Sequence, residues 1–157
     1  MIFNDLLDNA SLGINEIKLK DLITLRSNVS SKKIITTMFP PIEIGSITLV
    51  DQVVLLSLTD IIKPKSIVEV GTYLGYTTSL FAMNTDAKIY SIDLPKSDSI
   101  ENLSFEENKI LFDGDHNDDF LRKKQYNDGE IYIKELSSEA QSKISLIKAD
   151  STKINFT

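Results

Sequence analysis

The 157 residues suffice for one domain, and 41% hydrophobic with 25% charged residues place the chain among soluble globular proteins rather than disordered ones. A formal net charge of −6 argues against gripping a nucleic-acid backbone, which needs a basic surface, so no nucleic-acid partner is expected. The absence of cysteine excludes disulfides, thiolate metal sites and cysteine nucleophiles. No run reaches membrane-spanning length, and Met1 to Asp5 lacks the features of a signal peptide, so a cytoplasmic protein with no membrane partner is the expectation.

From roughly Asn15 to Arg26, the residues Ile17, Leu19, Leu22, Ile23 and Leu25 are interspersed with Glu16, Lys18, Lys20 and Asp21, which predicts a helix with an imperfect apolar face. It belongs to an accessory segment, residues 1–45, that closes at Pro40-Pro41. Thr48 is a plausible N-cap for the next helix, in which Leu49, Val53, Val54, Leu56, Leu58, Ile61 and Ile62 precede a stop at Lys63-Pro64. So apolar a helix is expected to be buried against a sheet. A strand from Ser66 to Val70, a turn holding Gly71 and Gly75, a helix from Thr77 to Asn84 and a strand from Lys88 to Asp93 then make a βαβ unit. Beyond Pro95, Lys96 to Asn108 is polar and reads as a loop or surface helix, and Asp118 to Tyr126 suits a short helix. The stretch from Gly129 to Leu136 fits either a strand or a helix. The last clear strand, Lys143 to Ser151, ends like the first two in an acid.

A strand, a tight glycine turn and a helix N-terminus are the parts with which open α/β sheets hold nucleotide-like cofactors. Glu69 stands beside that turn, and Asp93 follows about twenty residues on, where a ribose-binding carboxylate is expected. The pattern predicts binding of an adenosine-containing small molecule. Plainer readings compete with each part: the glycines form only a turn, Asp93 caps a helix after Pro95, Asp150 and Ser151 serve a turn, and Tyr73 and Tyr76 pack rather than face a substrate. The cluster from Asp113 to Asp119 contains the only histidine, His116. It fails as a calcium loop, with Asp118 at the position needing glycine and Lys124 at the one needing a bidentate glutamate. It is expected to be a solvated acidic loop rather than the reaction centre, with a divalent-metal site or a catalytic His116 as alternatives.

The segments Ile67 to Thr78, Ile89 to Pro95 and Ile144 to Ser151, in that order, resemble the first three strand ends of class I S-adenosylmethionine-dependent methyltransferases. The nearest likeness is to the small-molecule O-methyltransferase-like branch. The resemblance implies a Rossmann-like parallel sheet with flanking helices over residues 46–157. That sheet would be truncated after its third strand and carry an insertion at about 96–142. It also implies S-adenosylmethionine as cofactor, a small hydroxylated methyl acceptor, and a chain that supplies the cofactor-binding half of the enzyme. Cofactor binding carries over to Glu69, Gly71, Thr72, Tyr73, Gly75, Asp93, Leu94, Asp150 and Ser151. Glu69 would receive the methionine ammonium, Asp93 both ribose hydroxyls, and Asp150 the adenine amino group, with a backbone N–H of Ala149 or Ser151 nearby. Tyr73 stands where the family pattern has its middle glycine. Asp113 to His116 also resembles a stretch that in this branch follows the fourth strand and holds a metal or a base, but here it precedes the Asp150 strand, so no catalytic base and no metal are assigned. The first strand, left at an open edge, implies a homo-oligomer, aggregation or a poorly ordered state. Two alternatives remain: an NAD-type binding domain, though Gly71 to Gly75 does not supply G-x-G-x-x-G, and a non-catalytic cofactor-binding or interaction domain.

Overall fold

The computed structural model describes residues 18–30, 33, 47–95 and 114–154, and of residues 114–118 the backbone only. The elements run α1 (Leu19–Val29), α2 (Leu49–Ile62), β1 (Ser66–Val70), α3 (Tyr76–Asn84), β2 (Lys88–Asp93), α4 (Gly114–Asp128), α5 (Ile131–Lys134), α6 (Ser138–Ser142) and β3 (Ile144–Lys148). A 3-10 turn, Ser151–Lys153, follows β3. Among the described residues, helices flank an all-parallel, open, three-stranded sheet of order β1-β2-β3, the α/β arrangement of a partial Rossmann-like fold.

Local chemistry sets the ends of α2. Thr48 Oγ1 accepts from the Asp51 N–H at 3.2 Å while Asp51 Oδ2 accepts from the Thr48 N–H at 3.2 Å, a reciprocal capping box. At the other end Lys63 turns left-handed at φ 51°, and Pro64 prevents continuation. The helix packs chiefly on α1 and α3 rather than on the strands, and enters the core through Leu56 and the half-buried Leu55. Leu49, Val50, Leu58 and Ile62 stay exposed, so the expectation of a wholly buried helix is corrected. Helix α1 lies several residues later than the sequence predicts. It docks through buried Leu22 and through Arg26, whose Nε donates to Asp60 Oδ2 at 2.7 Å.

Helix α3 is the hub. Its residues Tyr76, Thr78, Ser79, Leu80, Phe81, Ala82 and Asn84 are all buried, as expected of a helix enclosed on several sides by α2, α5, α6 and β2. The core joins Leu56, Tyr76, Leu80, Phe81, Ala82, Ile89 and Ala140, and Tyr76 meets Tyr132 edge to face with ring centres 5.4 Å apart. Lys143 Nζ donates to the carbonyls of Ala82 and Thr85 at 3.1 and 2.9 Å, placing a cation at the negative end of α3.

Strand alternation and register put Ile67, Glu69, Ile89, Ser91 and Ile144 on the helix-covered face. On the opposite face Val68 and Val70 are 56% and 62% exposed, and β1 has no second strand partner among the described residues. Ile67, by contrast, is half-buried against the core.

Two further expectations are corrected, and one reading left open is settled. Residues 114–119 open helix α4 instead of forming a loop, while Asp113 lies outside the described residues. The acids of this segment precede Arg122, Lys123 and Lys124, an order that suits the helix macrodipole, and Lys124 pairs with Asp128 one turn on at 3.0 Å. The ambiguous stretch after Gly129 is helical at Ile131–Lys134. Strand β3 stops at Lys148, because Asp150 turns the chain by capping the Thr152 N–H at 3.0 Å.

One buried group stands out energetically. Gln52 is 0% exposed, and neither its Nε2 nor its Oε1 has a hydrogen-bond partner among the described residues. Gln52→Met keeps the size and removes two unsatisfied polar atoms, so it is expected to stabilise the chain by about 1–2 kcal/mol. A lower denaturant midpoint for this variant would mean that the amide is used.

Candidate functional site

The three strand ends are zipped together by backbone bonds that continue the sheet. The Gly71 N–H donates to the Ile92 carbonyl at 2.8 Å, and the Ala149 N–H donates to the Asp93 carbonyl at 2.9 Å. These bonds set the glycine turn, Asp93 and the β3 exit side by side. An open groove of about 180 Å³ lies there, lined by Val70, Gly71, Ile92, Asp93, Leu94, Ala149 and Ser151.

Gly71 takes φ 95°, and a Cβ at that position would meet nothing within 4 Å. The glycine therefore serves backbone conformation and keeps the approach to the groove clear. Gly75 takes φ 82° for a different reason: a Cβ there would come within 2.6 Å of Ile133 Cγ1, so this glycine lets α5 pack onto the turn. Tyr73 is also left-handed, at φ 52°, and its N–H donates to Asp93 Oδ2 at 3.1 Å.

Asp93 is the pivot of the site. Its Oδ2 accepts from Tyr73 N and from Gln125 Nε2, at 3.1 and 2.5 Å, and its Oδ1 accepts from the Leu94 N–H at 3.0 Å. Lys148 Nζ stands 3.9 Å from Oδ2 but pairs more closely with Glu130 Oε1. Backbone bonds from Glu130 N to the Tyr73 carbonyl (3.3 Å) and from Tyr132 N to the Leu74 carbonyl (3.2 Å) seat the α4–α5 segment on the glycine turn. A second, smaller hollow, of about 60 Å³, lies between this segment and the strand ends. Leu94, Pro95, Gln125, Tyr126, Gly129, Glu130, Lys134 and Lys148 line it, so Leu94 borders both spaces.

Glu69 faces inward from β1, beneath the turn. Its Oε2 accepts from Ser91 Oγ at 2.7 Å and from Thr78 Oγ1, and Ser91 lies 2.8 Å from Thr72 Oγ1. Thr72, Thr78 and Ser91 are all buried, which makes this a dry hydroxyl cluster around one carboxyl. Burial pushes the Glu69 carboxyl above its ordinary range; the hydroxyls of Thr78 and Ser91 pull it back in part, and the charge of Asp93 adds a further upward push. A carboxyl with a raised folded pKa contributes stability that is complete below its unfolded pKa and is lost as pH rises through the folded one. Parent and Glu69→Gln melting temperatures should therefore lie closest near the ordinary carboxyl value of 4.5 and diverge towards neutrality, with the variant the more stable. Curves that stay parallel across that range would show an ordinary carboxyl.

Asp150 is held in its own turn. Its Oδ1 accepts from Thr152 N and from Thr152 Oγ1 at 2.7 Å, and its Oδ2 pairs with Lys153 at 3.0 Å. These contacts lower its pKa, with the Thr152 hydroxyl the largest influence. Its neighbours Ala149 and Ser151 line the groove, and Asp150 does not.

The structure thus gathers Gly71, Asp93, Leu94 and Ser151 at one groove, with Tyr73 bonded to its rim. Thr72 and Glu69 lie in the hydroxyl cluster beside it, and Gly75 in the packing beneath it. Sequence reasoning missed Thr78, Ser91, Gln125, Glu130 and Lys148. The two hydroxyl residues carry a faint signal, being polar at positions where a covered strand face and a buried helix call for apolar ones. The side chain of His116 lies outside what is described, and among the described residues no group of three or more acids or histidines stands close enough to hold a metal. No family model, no curated protein and no solved structure matches this chain.

Proposed function

We propose that the chain binds S-adenosylmethionine at the strand ends and serves methyl transfer to a small hydroxylated acceptor. The observation that carries this reading is the Tyr73 N–H bond to Asp93, which joins the glycine turn of the first strand to the acid of the second in a single rim. The donor set suits the ligand, because carboxylates favour a cationic, hydroxyl-bearing molecule over an anionic one. The N–H groups of Gly71, Tyr73 and Gly75 are committed to Ile92, Asp93 and Thr72, which disfavours a pyrophosphate cradle and so the NAD-type alternative.

In this reading Asp93 receives the ribose, Leu94 lies against the adenine, and Ala149 and Ser151 border it. Glu69 Oε1, which has no hydrogen-bond partner among the described residues, receives the ammonium group of the methionine tail. The cofactor supplies a methyl group activated by a sulfonium. The chain's own part is to fix the ligand's orientation and to exclude water from it, which is most of what an in-line displacement asks of a protein.

Calorimetric titration of the full chain with S-adenosylhomocysteine and, separately, with NAD tests the reading. Saturable binding of the first and none of the second is expected; binding of NAD alone would overturn it. Transfer of labelled methyl to a panel of small hydroxylated acceptors then separates an enzyme from a binding domain.

A further inference from the structure

A carboxylate offers roughly four acceptor positions. Three of those on Asp93 are already used, by Tyr73 N and Gln125 Nε2 on Oδ2 and by Leu94 N on Oδ1. A ribose presents two adjacent hydroxyls, and one remaining position cannot accept from both. Gln125 brings the missing acceptor. Its Nε2 is fixed on Asp93, its Oε1 has no hydrogen-bond partner among the described residues, and the side chain lines the hollow that shares Leu94 with the groove.

We infer that Asp93 and Gln125 together form a diol-recognition pair, Asp93 Oδ1 accepting one hydroxyl and Gln125 Oε1 the other, so that helix α4 confers selectivity for an adenosine ligand with an unsubstituted ribose. The inference rests on the reading of the strand ends as a ribose site. It also says which ligands are refused. A phosphate on either hydroxyl removes a donor and sets an anion against Asp93, and the nearby cation, Lys148, is already paired with Glu130. Helix α4 is held in place for this role, since the segment that follows it is bonded to the turn at Tyr73 and Leu74.

The test is calorimetry on the full chain with two probes, S-adenosylhomocysteine and its 2′,3′-dideoxy analogue, for the parent, Gln125→Leu and Gln125→Met. Gln125→Leu is expected to weaken S-adenosylhomocysteine binding about tenfold or more while changing the dideoxy analogue by less than about twofold. Gln125→Met, which keeps the length but carries neither donor nor acceptor, should show the same selective loss and guards against a packing defect peculiar to the leucine variant. Equal weakening of both probes would reduce Gln125 to a structural role, and unchanged affinities would remove it from the site; either result overturns the inference while leaving the cofactor reading intact. A parent chain that binds neither probe would overturn both.

Discussion

Gly75→Ala is expected to destabilise the chain by about 2–5 kcal/mol, from two independent costs. A residue with a Cβ held in the left-handed region costs about 1–2 kcal/mol, and Gly75 sits at φ 82°. The added carbon also lands 2.6 Å from Ile133 Cγ1 and 2.7 Å from Cδ1, and overpacking a buried contact costs about 1–3 kcal/mol. Ile133 is itself buried, so its side chain has little room to retreat. The two costs are separable. Ile133→Ala should destabilise the Gly75→Ala background less than it does the parent, because it removes the clash along with the packing. Denaturant unfolding of the four chains measures the coupling, and additive effects would show that α5 does not press on the glycine turn.

Asp93→Ala is expected to lower the affinity for S-adenosylhomocysteine by about 3 kcal/mol or more, roughly a hundredfold. One charge-assisted bond to the ligand is lost directly, at about 1.5–3 kcal/mol. The rest comes from the protein side, since the N–H groups of Tyr73 and Leu94 and the amide of Gln125 lose their common acceptor and the rim they hold relaxes. Asp93→Asn keeps the shape and one acceptor oxygen and should fall between the two. An affinity in Asp93→Ala equal to the parent's would remove the ribose from this carboxylate.

The elements legible in the sequence are those whose causes are local. Thr48 and Asp51 cap each other across three residues, Pro64 stops the helix that they start, and the alternation from Ser66 to Val70 and from Lys88 to Asp93 fixes two strands to the residue. Where a local pattern admitted two outcomes, tertiary or electrostatic context chose. The acids from Asp115 to Asp119 suit a helix start as well as a loop, and Asp150 closes a turn rather than extending β3. The groove shares this division. Gly71 and Asp93 announce themselves by type and spacing, whereas Gln125 reaches Asp93 across 32 residues and Glu130 meets Lys148 only because α5 folds back over the glycine turn. The acceptor count on Asp93 appears only once those partners are placed.

Whether the three strand ends form one adenosine site is decided by amide NMR of the full chain titrated with S-adenosylhomocysteine. Saturable shifts are expected at Gly71, Tyr73, Leu94 and Ala149 together, with a single dissociation constant and loss of all four in Asp93→Ala. Shifts confined to one strand end, or a titration that leaves these four amides unmoved while others respond, would contradict it.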